Sequence, residues 1–145
     1  MQRDMAATDK VYLKYFPGAV TEDFYDYARP SKRFKNQMYI CHFGTNCLKS
    51  PKSPEDIAKE IVNVALDLKT SENEVVVSSI TFRADKLNSK ALKVNSFLKP
   101  LCDTNSLGYI DNANINKHNV NGSGIHLTEQ GTVKLALNFL RHINA

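Results

Sequence analysis

Met38-Tyr39-Ile40-Cys41-His42-Phe43-Gly44-Thr45-Asn46 is the stretch whose reading decides the fold. It begins as an apolar run of buried-strand length, with the β-branched Ile40 and the aromatics Tyr39 and Phe43, and breaks at Gly44 into a polar turn. The reading is a central strand over residues 38–43 whose C-terminal tip presents Thr45 and Asn46. Ligands of open α/β sheets gather beyond the carboxyl ends of the strands, so an amide there can donate to a substrate oxygen. Gly, Thr and Asn are also ordinary turn residues, and the tripeptide taken alone reads first as a turn.

Upstream, residues 11–16 (Val-Tyr-Leu-Lys-Tyr-Phe) read as a strand stopped by Pro17-Gly18, a pair that ends the ladder and brings main-chain N–H groups out at its tip. Thr21 then caps a short helix, with Phe24 and Tyr27 or Ala28 facing inward and Pro30 ending it. Residues 1–9 lack periodicity and read as a poorly ordered end.

Downstream lies the clearest helix signal. Ser53 is the N-cap, Pro54 takes the first helical position, and Glu55 and Asp56 suit the positive end of the dipole. Ile57, Ile61, Val64, Ala65 and Leu68 form one stripe, with Lys59, Glu60, Asn63 and Asp67 facing water, and the helix ends near Thr70. Residues 74–80 are too continuously apolar to alternate, the pattern of a strand buried on both faces. Asp85 caps a further helix with Leu87, Ala91, Val94, Leu98 and Leu101 on its stripe, and Pro100 bends or shortens its last turn. Residues 107–111 make a last short strand. Residues 112–124, rich in Asn and Gly, form a loop too long to be a mere connection. Thr128 caps the closing helix, with Val133, Ala136, Leu137, Leu140 and Ile143 as its buried face. The order β-α-β-α-β-α-β-loop-α predicts a parallel sheet covered on both faces, a three-layer α/β domain.

The 145 residues suit one domain, 1–145, able to bury about two thirds of the surface of its unfolded chain. No apolar run approaches the roughly 20 residues needed to span a bilayer, and Met1-Gln2-Arg3-Asp4 lacks the apolar core of a secretion signal, so the expected location is cytoplasmic, with no membrane partner. Cys41, Cys47 and Cys102 form neither a CxxC pair nor an even framework and read as reduced thiols. A net charge of +4 is too small and dispersed to imply nucleic-acid binding. Its densest cluster, Ser31-Lys32-Arg33-Phe34-Lys35, reads first as a solvated loop and second as a phosphate contact.

His126 sits at the end of Asn121-Gly122-Ser123-Gly124-Ile125-His126, directly before a capped helix. Its backbone is held between two apolar residues while its ring stays free to face a site, and Ser123 can bond the imidazole and set its tautomer. Taken alone, a structural histidine near a helix start is the simpler reading. His42 reads as a core residue, His118 and His142 as surface residues. The histidines are too scattered for a metal set, and Gly122-Ser123-Gly124 lacks the lysine of a P-loop, so neither metal nor cofactor is expected.

Phe16-Pro17-Gly18-Ala19, Gly44-Thr45-Asn46 and Gly124-Ile125-His126-Leu127, in this order, resemble the SGNH, or GDSL-type, hydrolase family over essentially the whole chain. The resemblance implies a flavodoxin-like fold and acyl-ester hydrolysis. It implies that Gly18, through its backbone N–H, and Asn46, through its side-chain amide, form the oxyanion hole, and that His126 is the general base.

Three departures from the family pattern stand out. No Gly-Asp-Ser nucleophile turn occurs in the chain, Ser123 stands where the family has an aspartate, and Cys47 stands where an aspartate often follows Gly-Thr-Asn. The family's sheet order, 2-1-3-4-5, lacks its first strand here, so the strands at 11–16 and 38–43 must pair directly, leave a slot, or accept a strand from elsewhere. The expectation is an N-terminally truncated or degenerate copy, with little activity alone and with exposed sheet edges that favour homo-oligomers. Cys47, adjacent to Asn46, is a candidate replacement nucleophile, while Ser78 and Ser79 read as packed hydroxyls. The alternative is a non-catalytic binding or assembly module on the same scaffold. Similar domains occur in some retroelement reading frames, which would give Lys32, Arg33 and Lys35 a nucleic-acid role.

Overall fold

Val75, Val76 and Val77 are each at most 1% exposed, which requires a layer of structure on both sides of their strand. The computed structural model describes residues 10–14 and 37–145. Its strands are β1 (Lys10–Lys14), β2 (Gln37–Cys41), β3 (Glu74–Ser78) and β4 (Gly108–Ile110), and its helices are α1 (Pro54–Leu68), α2 (Asn88–Thr104) and α3 (Glu129–Ile143). All the strand pairs are parallel, in the order β1-β2-β3-β4. The strands expected at 11–16 and 38–43 pair directly, with Val11 opposite Met38 and Leu13 opposite Ile40. Residues 1–9, Phe16-Pro17-Gly18, the helix expected after Thr21 and the basic cluster at 31–35 lie outside the described residues.

Alternation along β2 and β3 sorts the core into two faces. Tyr39, Cys41, Val75 and Val77 face α1 and α2, packing with Ile57, Ile61, Val64, Ala91, Val94 and Leu98. Ile40, Val76 and Ile110 face α3 through Phe139, with Leu135 and Ile143 partly buried beside them. The predicted three layers are present.

Helix α1 starts as its sequence dictates: the Ser53 side chain accepts from Asp56 N–H at 3.1 Å, with Pro54 in the first turn. Burying Ile57, Ile61, Val64 and Leu68 contributes roughly 1.5–3 kcal/mol each. Helix α2 differs in detail from the sequence reading. Leu87 occupies its N-cap position without a capping side chain, and Asp85, two residues earlier, accepts from Leu87 N–H at 3.1 Å. Pro100 does not shorten α2, which runs on to Thr104; on the exposed outer face, the carbonyl that Pro100 leaves unbonded can be met by water. At the helix's middle, Asn95 bonds Ile80 twice, donating to its carbonyl and accepting from its N–H, both at 2.9 Å. That amide extends the hydrogen bonding of β3 beyond Ser78.

Helix α3 is rotated from the expected orientation. Val133 and Leu137, read as buried, are 53% and 45% exposed, while Gly131, Asn138 and Phe139 are buried. Two constraints turn it. A Cβ at residue 131 would lie 2.4 Å from the Asn119 carbonyl oxygen, so only glycine permits this approach. Asn138 donates to the buried amide of Asn112 and to that of Asn114 at 3.0 and 2.8 Å. A count of apolar residues misses both.

The two faces of α3 respond differently to substitution. By urea unfolding, Leu137→Lys keeps the unfolding free energy within about 0.5 kcal/mol of wild type, whereas Phe139→Ala destabilises by about 3 kcal/mol. Equal losses would restore the stripe read from the sequence.

Candidate active site

Beyond β2 the backbone turns at Gly44, whose φ of +121° side chains avoid and where a Cβ would meet Ile61 at 3.0 Å and Ile80 at 3.2 Å. The chain then winds into a 3-10 turn, Thr45–Lys49, closed by Cys47 N–H donating to the Gly44 carbonyl at 2.9 Å. Asn46 lies half-buried in its first turn. At the far end, Lys90 Nζ donates to the carbonyls of Leu48 and Ser50 at 3.1 and 2.8 Å.

Arg83 holds the near end. Its side chain is 2% exposed, yet its fork is occupied: Nε and Nη2 donate to Asp85 at 3.0 and 2.7 Å, and Nη1 donates to the Thr45 carbonyl at 3.1 Å. Hydrogen bonding to the guanidinium holds the Asp85 carboxyl below its ordinary value.

His126 occupies the other loop. An antiparallel bridge joins Val120 to Leu127, and Asn121 N–H donates to the His126 carbonyl at 2.8 Å, so the backbone is fixed while the residue stays exposed. Thr128 then caps α3, accepting from Gly131 N–H at 3.1 Å. The Ser123 hydroxyl donates to Asn121 Oδ1. Ser123 thus organises its own turn, and no hydrogen bond joins it to the His126 ring among the described contacts.

At the carboxyl ends of β2, β3 and β4 runs a largely buried polar chain. Asn112 Nδ2 donates to the Ser79 carbonyl at 2.8 Å and to Ser78 Oγ at 2.7 Å. Because a carbonyl can only accept, this fixes the orientation of the amide and leaves Asn112 Oδ1 to accept from Asn138. Ser78 Oγ in turn lies 2.9 Å from His42 Nδ1. The Ser78 hydroxyl, which has two acceptor sites, can meet Nδ1 either as donor or as acceptor, according to the tautomer of the ring. Burial pushes the His42 pKa down to about 4, so the ring is neutral at pH 7. The Phe139 ring stands edge-on to it at 6.1 Å.

Other candidates resolve by burial. Cys47 is 5% exposed and sits within the core. Burial pushes Cys41 up to about 12 and Cys102 up to about 11, so neither is a thiolate at neutral pH. Ser78 and Ser79 are packed hydroxyls, as expected. His118 is exposed, but His142 is half-buried, 3.8 Å from Glu74, with its ring against Gly108, so it is not the free surface residue expected. Among the described residues no group of three or more His, Cys, Asp or Glu could hold a metal ion, and no helix is long and apolar enough to cross a membrane. Sequence reasoning missed Arg83, Asn112 and Asn138. An arginine two residues from an aspartate, just past a buried strand, was the one available signal.

Compared as a sequence, the chain matches no protein-family model and no curated protein. Compared as a fold, it is similar to a member of the lipolytic G-D-S-L family from Veillonella parvula, with TM-score 0.71 and 16% identity over 86% of this chain and 74% of that one. A GDSL-like lipase from Bacteroides thetaiotaomicron aligns at TM-score 0.72 and 13% identity over 88% and 72%. A lipase/acylhydrolase from Enterococcus faecalis aligns at TM-score 0.75 and 15% identity over 98% and 81%. The chain therefore has the SGNH-hydrolase-like, flavodoxin-type fold.

The neutral His42 makes stability depend on pH. Its folded value of about 4 lies below the ordinary 6.5 of a histidine, so the unfolded chain binds the extra proton first. Stability from this group is intact above pH 6.5 and falls as pH drops toward 4, by up to about 3 kcal/mol at roughly 1.4 kcal/mol per pH unit. Urea unfolding between pH 7 and 4 checks this, and His42→Gln flattens the decline; equal slopes in both proteins would mean other groups carry it.

Proposed function

We propose that this domain is an acyl-ester hydrolase scaffold of the SGNH type, in which Asn46 donates to the oxyanion and His126 is the general base. The observation that carries the reading is that residues 83 and 84 bond to both the Asn46 turn and the His126 loop. Two separate elements at the carboxyl ends of the strands are thereby tied to one segment. The fold likeness to GDSL-type lipases and acylhydrolases supports the same chemistry.

In this mechanism a serine hydroxyl attacks the ester carbonyl while His126 takes its proton. The carbonyl oxygen becomes an oxyanion, held by the Asn46 amide and by the backbone N–H of Gly18, which lies outside the described residues. Collapse of the intermediate expels the alcohol, which receives the proton from His126, and water then repeats the sequence on the acyl-serine. The Gly-Asp-Ser turn that would supply the serine does not occur in these 145 residues. Without an attacking group, only the residual effect of binding and oxyanion donors remains, orders of magnitude below a complete triad. The 145 residues alone therefore hydrolyse esters weakly or not at all. Ser123, bonded to Asn121, does not orient His126 in this arrangement.

The test is p-nitrophenyl acetate hydrolysis by the 145-residue chain and by a version preceded by a strand carrying Gly-Asp-Ser. Turnover is expected only in the extended protein. His126→Ala abolishes it, and Asn46→Ala lowers kcat by about 10²–10³. Two folded but inactive proteins would refute the catalytic reading, and His126-dependent turnover in the short chain would place the nucleophile among its own residues.

A further inference from the structure

Burying a guanidinium is costly unless its hydrogen bonds are met. Arg83 is among the largest fully buried side chains, and its partners explain where the benefit falls. Asp85 neutralises it from one side with a two-point contact. On the other side it bonds the backbone carbonyl of Thr45, the residue immediately before Asn46. The next residue reaches the second loop: Ala84 N–H donates to the Gly124 carbonyl at 2.7 Å, two residues before His126. At Gly124 φ is +77°, and a Cβ there would lie 3.0 Å from Ala84 Cβ, so the contact is close as well as hydrogen-bonded. The segment is itself anchored to α2, since Arg83 N–H donates to Asn88 Oδ1 at 3.0 Å and Asp85 accepts from Leu87 N–H.

We propose that Arg83 is a positioning residue: with Asp85 and the Ala84 amide it forms a bridge that fixes the Asn46 turn relative to the His126 loop. The proposal deepens the acyl-hydrolase reading, on which its functional consequence rests. Oxyanion donor and base lie on loops separated by about half the chain, and neither loop's own hydrogen bonds set their separation. The bridge makes the two elements move together, so loosening it at residue 83 misplaces both. Lysine cannot substitute, because a single ammonium does not reproduce the planar fork that reaches Asp85 and Thr45 at once.

Native-state hydrogen exchange on the full chain tests the coupling without need of turnover. Two amide protons report it: Cys47 N–H, which closes the Asn46 turn, and Ala84 N–H, which bonds the His126 loop. In Arg83→Lys both are expected to exchange at least about tenfold faster, while amides within α1 and α2 keep their rates. A uniform acceleration of every amide would mean that Arg83 is only structural. Acceleration of one reporter without the other would mean that the loops are not coupled. Asp85→Asn, an exposed and nearly isosteric change, gives the same paired acceleration to a smaller degree and serves if Arg83→Lys does not fold.

The kinetic consequence is read on the Gly-Asp-Ser extended protein, where Arg83→Lys lowers kcat about 10²-fold with KM within about twofold. Unchanged kcat beside paired acceleration would remove the positioning role in catalysis. Absence of turnover in the extended protein would defeat the hydrolase reading, while the exchange data would still decide the bridge.

Discussion

The amide of Asn112 has one orientation available, and much of the domain's upper edge follows from it. The Ser79 carbonyl demands a donor, so the amide nitrogen points there and toward Ser78, and its oxygen must be met from α3. Ser78 Oγ then meets His42, and burial holds that half-buried imidazole neutral. The result is a polar layer across the tips of β2 and β3, the start of the loop after β4, and α3. Each member is costly to bury alone, and burial is tolerable because each satisfies the next. The network therefore specifies relative placement: a rotation of α3 or a slip of β4 would orphan several groups together.

A second buried polar group, Arg83, acts just beyond β3. Arg83 bonds Thr45 and Asp85, and its neighbour Ala84 bonds Gly124, so the segment after β3 acts as a tie between two loops. The apolar layers below contribute most of the stabilising burial but are non-directional. Position at the tips depends on hydrogen bonds whose geometry is strict. The parts of the chain proposed to meet substrate are thus placed by a few polar side chains on a scaffold held by valine, isoleucine and leucine. Direct pairing of β1 with β2 keeps the sheet continuous.

What could be read in advance divides along the same line. Strand β3, the start of α1, the cap of α3 and the three-layer arrangement follow from local periodicity and capping chemistry, which act over a few residues. The Asn46 turn and the His126 loop were recognisable as motifs because glycine and a helix cap mark them. The buried face of α3 was not legible: Val133 and Leu137 offered a clean apolar stripe, yet Gly131 and Asn138 set the rotation through contacts with residues 112–119. Nor was the partner of Ser123, since a hydroxyl two residues from Asn121 closes its local turn before it can reach a ring.

By itself, the sequence determined the alternation of parallel strands and amphipathic helices and the polar turns at their carboxyl ends, because each depends on neighbours within about a turn or a strand. The tertiary structure alone decided which face α3 buries, that the His42 ring is held neutral, and that Arg83 ties together loops some eighty residues apart. Those outcomes depend on satisfying buried donors and acceptors brought together from distant parts of the chain, and no local pattern encodes which distant group will answer.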